Sequence, residues 1–462
     1  MRRSFTLFTL LLPLLLLTGC EGKEAMSQEL EQKAQVLEET GTWFEGRLTQ
    51  LKSTARQIRT GELLQTEAFA GKEQEKEYAG SEKTVVENPG EEAGGDFPSA
   101  RAAIGLTEGA DAELLGAQTD RYAFSCLNAE EQLLYVDMVQ ILSNMAENIE
   151  IRMPQEEGRT DTEIIGRVFQ CVMDDHPEFF YTDGYTYTRY TEGNAEGKLI
   201  RITFSGNYTM SPAKRKRCEE KIDDYTRQVL ADVAAEASEY EKVKYVYEYV
   251  ILHTDYKQDA KENQNICSVF LYGESVCQGY AKAVQYLLQR MGLQAALVTG
   301  SVEEGEGHAW NLVRVDGAYY YVDATWGDAS YEMSGEKTED ASVRTPKINY
   351  DYLCVTTEQL EKTHVIDSVV TMPCCTAVEA NYYQQEDAYF TGYDREHIRR
   401  LFERAYERGD EIVTLKCSDS TAYEEVRRML LDAQEVFGYL KATDGRVAYT
   451  ENREQFSISF WL

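Results

Sequence analysis

The sequence contains no Cys-X-X-Cys pair, no EF-hand-like run of spaced acidic residues, and no long apolar stretch after its first 20 residues. The irregular spacing of its ten cysteines supports neither a zinc site nor a defined disulfide framework. Because the sequence has no EF-hand pattern, it does not indicate dependence on calcium. Basic residues are scarce, with 47 Lys and Arg against 80 Asp and Glu, and the net charge of −33 opposes binding to nucleic acid and anionic lipid. We therefore expect no metal, no cofactor and no nucleic-acid partner.

The first 20 residues differ from the rest of the chain. Arg2 and Arg3 precede a leucine-rich run that ends in LTGC at Cys20. This pattern resembles the bacterial lipoprotein signal, in which the cysteine carries lipid and becomes the mature N-terminus. The run is shorter than the ~20 apolar residues that a transmembrane helix needs. We predict a signal peptide over 1–20, lipidation of Cys20, and a protein anchored to the cell membrane that faces outside the cytoplasm.

Three segments that fit thiol chemistry read SVCQGYAKAV, GHAWNLV and YYYVDATWGD. They contain Cys277, His308 and Asp323, separated by 31 and 15 positions, which is short enough for one helix and two adjacent strands. Thiolate is the nucleophilic form of cysteine, and a helix N-terminus and an imidazole beside the sulfur favour it. A carboxylate on the far imidazole nitrogen fixes the tautomer and stabilises the imidazolium. The three residues are therefore candidates for a catalytic triad.

Apolar residues at helical spacing follow Cys277 and stop at Gly292, so Cys277 is predicted to begin a helix. Its backbone N–H is then the first candidate for the donor that stabilises an oxyanion. Weaker candidates for this role are the side chains of Tyr272 and Gln278. Other residues expected near the site are Trp310, Asn311 and Trp326.

An Asp-Gly pair at 316–317 lies between two stretches rich in valine and aromatic residues, which predicts a hairpin with a two-residue turn. The register of such a hairpin places His308 opposite Thr325 and Asp323 opposite Trp310. Diagonal neighbours on one face of a strand pair lie within side-chain reach. We therefore expect a contact between the imidazole of His308 and the carboxylate of Asp323.

Each of these residues, taken alone, also fits a structural role. Cys277 could be a small buried hydrophobe, His308 a strand histidine and Asp323 a turn acid. Cys267 is an alternative nucleophile ten positions earlier, although no helical pattern follows it. His364 flanks the unit and could approach the site, but a structural role is favoured for it. The ordered combination of the three residues with their flanking sequences supports the catalytic interpretation.

These motifs resemble the transglutaminase-like superfamily, in particular its bacterial members with a papain-like Cys-His-Asp arrangement. The matching text is CQGYAKA from Cys277, HAWN from His308 and VDATWGD from Val322. The resemblance covers roughly residues 120 to 375, and further support for it lies outside the three motifs. It comes from DHPEFFY ending at Tyr181, KYVYEYVILHTDYK from Lys244, and YDYLCV from Tyr350 with His364.

The resemblance implies an α+β fold, with a papain-like core, an N-terminal helical region and a small C-terminal α+β module. After the signal peptide over 1–20, the predicted parts are an acidic stalk or linker, partly helical or disordered, over 21–98, a helical and hairpin part of the core over 99–240, the transglutaminase-like catalytic domain over 241–376, and the C-terminal module over 377–462.

The function implied by the resemblance is acyl transfer on protein or peptide amides. Cys277 would attack the carbonyl, His308 would take and return the proton, and Asp323 would orient the imidazole. Among bacterial relatives we favour hydrolysis over cross-linking. The alternative is a non-catalytic binding module at the cell surface that retains the fold. Either way, the expected partners are a protein or peptide at the cell surface and, through the lipid anchor, the membrane.

Overall fold

A computed structural model describes residues 79–87, 96–107, 109–154, 159–302, 305–328, 347–441, 445–453 and 455–462. Residues 80–462 belong to one compact unit. The predicted signal peptide, Cys20 and most of the predicted stalk lie outside the described residues. Within the described ranges, no helix combines the length and the apolar character that a membrane crossing requires.

The described helices are α1 (Phe97–Ala103), α2 (Asp111–Gly116), α3 (Tyr122–Ser125), α4 (Ala129–Ser143), α5 (Asp161–Asp175), α6 (Pro212–Ala231), α7 (Glu239–His253), α8 (Cys277–Arg290), α9 (Thr357–Leu360), α10 (Tyr382–Gln385), α11 (Arg395–Arg408) and α12 (Ser420–Arg427). The described strands are β1 (Ala79–Glu87), β2 (Ile149–Glu150), β3 (Thr182–Glu192), β4 (Leu199–Tyr208), β5 (Asp255–Tyr256), β6 (Glu274–Ser275), β7 (Ala295–Ser301), β8 (Gly307–Val315), β9 (Ala318–Val322), β10 (Val365–Ile366), β11 (Tyr389–Phe390), β12 (Ile412–Cys417), β13 (Tyr449–Asn452) and β14 (Ser457–Trp461).

The N-terminal sheet has the strand order β1-β3-β4-β2. Its centre is the predicted antiparallel hairpin of β3 and β4, in which Tyr187 lies opposite Phe204. Strand β1 lies inside the segment interpreted as linker, and no sequence pattern predicts it, because its described side chains are mostly exposed and polar. The hydroxyl of Tyr187 donates to the carboxylate of Glu82 on β1 at 2.7 Å. Polar contacts thus attach this edge strand.

The central sheet has the strand order β10-β7-β8-β9. The predicted turn between β8 and β9 is confirmed, since Asp316 and Gly317 have φ values of 49° and 86°, as a type I′ turn requires. The predicted register is confirmed within the ladder, where Asn311 lies opposite Val322, but the predicted pairs of His308 with Thr325 and of Asp323 with Trp310 lie beyond the ladder and do not form. The ladder ends at Asn311 and Val322, so the residues after Val322 leave the sheet beside the start of β8.

Helix α8 packs against β7 and β8, where Ala281, Leu297 and Ala309 form a small buried cluster. Gln285 and Gln289 join the helix to Ala295 of β7 and to the end of α5. Gln285 donates from Nε2 to the carbonyl of Asp174 at 2.7 Å. The start of the segment DHPEFFY therefore packs against the helix that Cys277 begins. This contact explains why the segment occurs in the same sequence as the three motifs.

The C-terminal residues form a further sheet with the order β11-β12-β14-β13, packed around a cluster of buried apolar side chains from β12, β14, α11 and α12. Lys416 of β12 makes a buried ion pair with Asp351 at 2.7 Å, and the hydroxyl of Ser457 donates to the same carboxylate at 3.1 Å. The α+β class is confirmed, whereas the domain boundaries remain predictions.

Candidate active site

Cys277 begins α8, as predicted, and its side chain is partly exposed. The preceding residue, Val276, has extended backbone geometry and makes no side-chain cap, so no protein side chain at the N-cap satisfies the first turn of the helix. The positive end of the helix dipole at this point stabilises a thiolate or an oxyanion.

Gly279 allows the first turn of α8 to pack closely against the chain before it. A Cβ atom at this position would lie 1.9 Å from the hydroxyl of Ser275 and 2.7 Å from that of Ser268. These two hydroxyls are hydrogen-bonded to each other at 2.6 Å. The glycine in the CQGYAKA motif therefore fixes the approach of the helix start to β6.

His308 lies at the start of β8 and is only 6% exposed. Its Nε2 lies 2.7 Å from Oδ2 of Asp323, and the side chain of Cys277 lies near the same ring. Because Nε2 is used by the carboxylate, the geometry leaves Nδ1 for the sulfur. Burial alone would lower the pKa of His308, but the charge and hydrogen bond of Asp323, together with Cys277, raise it to about 10.

Asp323 lies one residue past the end of β9 and is 1% exposed. Its Oδ1 accepts hydrogen bonds from the backbone N–H groups of Thr325 at 2.8 Å and Trp326 at 3.1 Å. Burial by itself would raise the pKa of Asp323, but the attraction and hydrogen bonds of His308 and His364 hold it well below the usual range. The carboxylate is therefore ionised and accepts hydrogen bonds at both oxygens.

His364 also contacts Asp323, and its ring centroid lies 5.4 Å from that of His308. Its Nε2 lies 2.9 Å from Oδ2 of Asp323, the same oxygen that His308 uses. It is 1% exposed and its ring packs edge-on against Trp310 with 5.0 Å between centroids. Sequence analysis favoured a structural role for this residue, and the only signal for its position was the stretch from Tyr350 that accompanies the motifs.

The same three side chains are the described group that could hold a metal ion, since one ligand atom from each of His308, Asp323 and His364 lies within 4.8 Å of the others. The two N···O distances of 2.7 and 2.9 Å, however, are those of charge-assisted hydrogen bonds. A metal ion would need both Nε2 atoms deprotonated. The geometry therefore describes a hydrogen-bonded cluster.

The remaining residues expected near the site divide into two groups. Trp310 and Trp326 line the imidazole of His308, with ring centroids 5.8 and 6.3 Å away. Asn311 points to the other side of β8, where its Nδ2 donates to the carbonyl of Ala281 at 3.0 Å. Asn311 therefore joins the strand to α8 and does not contact the imidazole of His308.

The two side chains considered for the oxyanion site also differ in position. Gln278 is 4% exposed within the first turn of α8, whereas Tyr272 is 41% exposed and lies under the ammonium of Lys261, 4.7 Å from the ring centroid. Asp328, the other carboxylate of the VDATWGD motif, accepts a hydrogen bond from the hydroxyl of Tyr280 at 2.9 Å. In the described structure it is Asp323 that contacts the imidazole of His308.

Cys267, the alternative nucleophile, is buried and directly precedes the short helical turn Ser268–Tyr272. Burial raises the pKa of its thiol far above the usual range. A thiol in this environment is a poor nucleophile. Cys277 is therefore the better candidate of the two, because it combines partial exposure, a helix N-terminus and an imidazole partner.

Comparisons with known proteins point to the family that the three motifs resemble. Residues 227–324 match the family model described as the transglutaminase-like superfamily. This range contains Cys277 and His308 and ends one residue after Asp323. Kyphoscoliosis peptidase of Mus musculus is 26% identical over a region that covers 26% of this chain and 22% of the mouse protein. Kyphoscoliosis peptidase of Homo sapiens is 28% identical, covering 23% of this chain and 20% of the human protein.

The chain thus spans about a fifth of the length of the curated relatives it matches. Among solved structures, a TGase is similar with 15% identity and a TM-score of 0.23, covering 36% of this chain and 61% of that protein. The family expected from the three motifs is confirmed. The region that contains Cys277, His308 and Asp323 therefore matches the transglutaminase-like superfamily.

Proposed function

We propose that this chain is a thiol acyl-transfer enzyme that hydrolyses amide bonds of proteins or peptides, with Cys277 as nucleophile, His308 as general base and acid, and Asp323 as the group that orients the imidazole. The observation that carries the proposal is the position of the buried His308 ring, which lies near the side chain of Cys277 at the start of α8 and 2.7 Å from the carboxylate of Asp323. Such a chain of contacts is what an activated thiol needs.

The reaction follows from these contacts. The Cys277 thiolate attacks the amide carbonyl carbon, a C–S bond forms, and the carbonyl oxygen gains the negative charge that the start of α8 stabilises. The imidazolium of His308 then gives its proton to the amide nitrogen, the C–N bond breaks, and the amine leaves. His308, now neutral, takes a proton from water, the hydroxide attacks the thioester, and the C–S bond breaks to release a carboxylate product.

Hydrolysis is proposed over amine transfer because the curated relatives bear the name peptidase. Their name supports the proposal only for the matched region, since the remaining four fifths of those proteins have no counterpart in the match. We further propose that the enzyme acts at the outer side of the cell membrane, held by lipid at Cys20, as the LTGC sequence indicates.

A non-catalytic binding module with the same fold is the second candidate, and a substrate screen separates the two. The purified full-length chain is incubated with a library of peptides, with and without a labelled primary amine, and products are identified by mass spectrometry. Peptide cleavage that is lost in Cys277→Ser and kept in the matched control Cys126→Ser supports hydrolysis. Incorporation of the amine would instead assign cross-linking. Binding of peptides without any turnover that depends on Cys277 would contradict the enzyme proposal.

A further inference from the structure

We propose that His364 is a positioning residue of the active site, which shares the Asp323 carboxylate with His308 and so limits how tightly that carboxylate retains the His308 proton. The inference rests on the proposed function. It adds a fourth member to the Cys277, His308 and Asp323 set, and it assigns that member a task distinct from orientation.

The geometry places both imidazoles on one oxygen atom. Oδ2 of Asp323 lies 2.7 Å from Nε2 of His308 and 2.9 Å from Nε2 of His364. The other oxygen, Oδ1, is used by two backbone N–H groups. Four donors thus occupy the lone pairs of one buried carboxylate, and the hydrogen bond of His364 shares the negative charge of the oxygen that His308 uses.

His364 is held in this position by its own part of the chain. Its backbone N–H donates to the carbonyl of Leu360 at 3.0 Å, after the short helix α9. The next residue, Val365, pairs with Ser301 of β7. Gly300 permits this approach, since a Cβ atom there would lie 2.0 Å from the carbonyl oxygen of Val365. The position of His364 is therefore set independently of His308.

The proton positions follow from the acceptor. An ionised carboxylate oxygen only accepts, so Nε2 of both histidines must carry hydrogen, an assignment made from the hydrogen-bond network. Nδ1 of His364 lies 2.8 Å from the hydroxyl oxygen of Thr363. That hydroxyl can donate to Nδ1 or accept from it, and its other partners are the carbonyl of Leu360 and the hydroxyl of Tyr352, each at 3.4 Å. His364 thus keeps its donor on Asp323 in either protonation state.

The consequence concerns the step in which His308 protonates the leaving amine. A general acid acts best when its proton affinity is matched to the working pH. A buried carboxylate whose only imidazole partner is His308 would hold the imidazolium proton more strongly than one that also serves His364. By taking part of the negative charge of Oδ2, His364 keeps the His308 proton transferable.

Other titratable groups face the cluster of His308, Asp323 and His364, and the substitutions of His364 leave these groups in the protein. Cys277 contacts His308 from α8. Tyr247 of α7 and Tyr352 both experience the charge of Asp323. The charge of Asp351 acts on the same two tyrosines, and Asp351 is paired with Lys416 at 2.7 Å. None of the substitutions proposed here changes these groups.

Two substitutions of His364 separate the hydrogen bond from packing. His364→Phe keeps a planar ring among the aromatic neighbours but removes the donor on Asp323. His364→Gln retains an amide N–H that can reach the same oxygen. The readout is the titration of His308, followed by NMR of the full-length chain labelled with ¹⁵N-histidine, with the five histidines assigned by substitution.

In His364→Phe the titration midpoint of His308 should rise by roughly one pH unit, a tenfold gain in proton affinity, because a hydrogen bond to a charged group has about this worth. In His364→Gln it should stay within a few tenths of a unit of the parent. Turnover of a peptide substrate in His364→Phe should fall through kcat with KM little changed. An unchanged His308 midpoint in a folded His364→Phe protein would overturn the proposal.

The parent protein supplies a test that needs no stable variant. Both His308 and His364 should show protonated Nε2 atoms with low-field proton resonances near neutral pH, and a His364 ring protonated only at Nδ1 would overturn the proposal. Failure of the proposed function is recognised separately. If Cys277 shows no enhanced reactivity toward an alkylating agent, the thiol mechanism fails, whereas normal reactivity with an unchanged His308 titration rejects only the role of His364.

Discussion

Asp323→Asn tests the part of the site on which both histidines depend. The carboxylate accepts two backbone N–H groups at Oδ1 and two imidazole Nε2 atoms at Oδ2. Asparagine has a single acceptor oxygen. If that oxygen stays on the backbone groups of Thr325 and Trp326, the Nδ2 group points its hydrogens at both imidazoles.

Two donors then face each other at His308, so the ring must rotate, change tautomer or lose its contact with Cys277. A hydrogen bond to a charged group is worth about 1.5–3 kcal/mol. A loss of about 3 kcal/mol in the transition state corresponds to roughly a hundredfold lower rate. We therefore expect Asp323→Asn to lower turnover by about two or more orders of magnitude while leaving the fold largely intact.

The assay compares kcat/KM of the parent and the variant on a peptide substrate from the library screen, with circular dichroism as the check on folding. Asp316→Asn is the matched control, because Asp316 lies in the left-handed region of the β8–β9 turn, which asparagine also adopts. The control should retain full activity. If Asp323→Asn stays within about twofold of the parent, Asp323 is a structural acid and the proposed orienting role is wrong.

Three further predictions concern stability and location. Gly279→Ala should lower the free energy of unfolding by about 1–3 kcal/mol, because its Cβ would collide with the Ser275 hydroxyl. Gly116→Ala is the control, because a Cβ atom at position 116 meets open space, and it should leave the denaturant midpoint unchanged. Equal effects of the two substitutions would reject the packing argument. Because the pKa of His308 is raised from 6.5 to about 10, its stabilising contribution is complete below about pH 6.5 and is lost as the pH rises towards 10. The thermal midpoint should therefore fall over this range, and fall less in His308→Gln; an identical fall in both proteins would contradict this. Cys20→Ser should release the protein from the membrane fraction and abolish incorporation of labelled fatty acid, whereas a parent without lipid label would refute the anchoring proposal.

The features that the sequence predicted correctly are those fixed by local chemistry. The Asp-Gly turn at 316–317 sets the register of β8 and β9, and this register brings His308 and Asp323 together. The apolar stripe that follows Cys277 places the sulfur at the start of α8. Each of these features depends on residues that are close together in the sequence, so the motifs are enough to predict it.

The features that the sequence did not reveal depend on distant packing. His364 reaches Asp323 because β10 adds to β7 across Gly300, and no local pattern specifies that pairing. Strand β1 is mostly polar at its described positions and therefore lacks the alternation that marks a half-buried strand. Asn311 lies in the HAWN motif, yet its amide binds the carbonyl of Ala281, because alternate residues of β8 face opposite sides of the sheet.

The remaining thiols differ from Cys277 in ways that can be measured without a substrate. Burial raises the pKa of the thiols of five other cysteines, namely Cys171, Cys267, Cys354, Cys375 and Cys417. These should react only on unfolding. Cys126 is exposed and serves as the internal reference.

Alkylation of the folded, reduced full-length chain by iodoacetamide at about pH 6, read by peptide mapping with mass spectrometry, therefore tests the central claim most directly. If Cys277 at the start of α8 is paired with His308, it should be alkylated on the order of tenfold faster than Cys126 or more. The substitution His308→Ala should slow its labelling, because the imidazolium that stabilises the thiolate is gone. A Cys277 that reacts no faster than Cys126 would contradict thiol catalysis and favour the binding module.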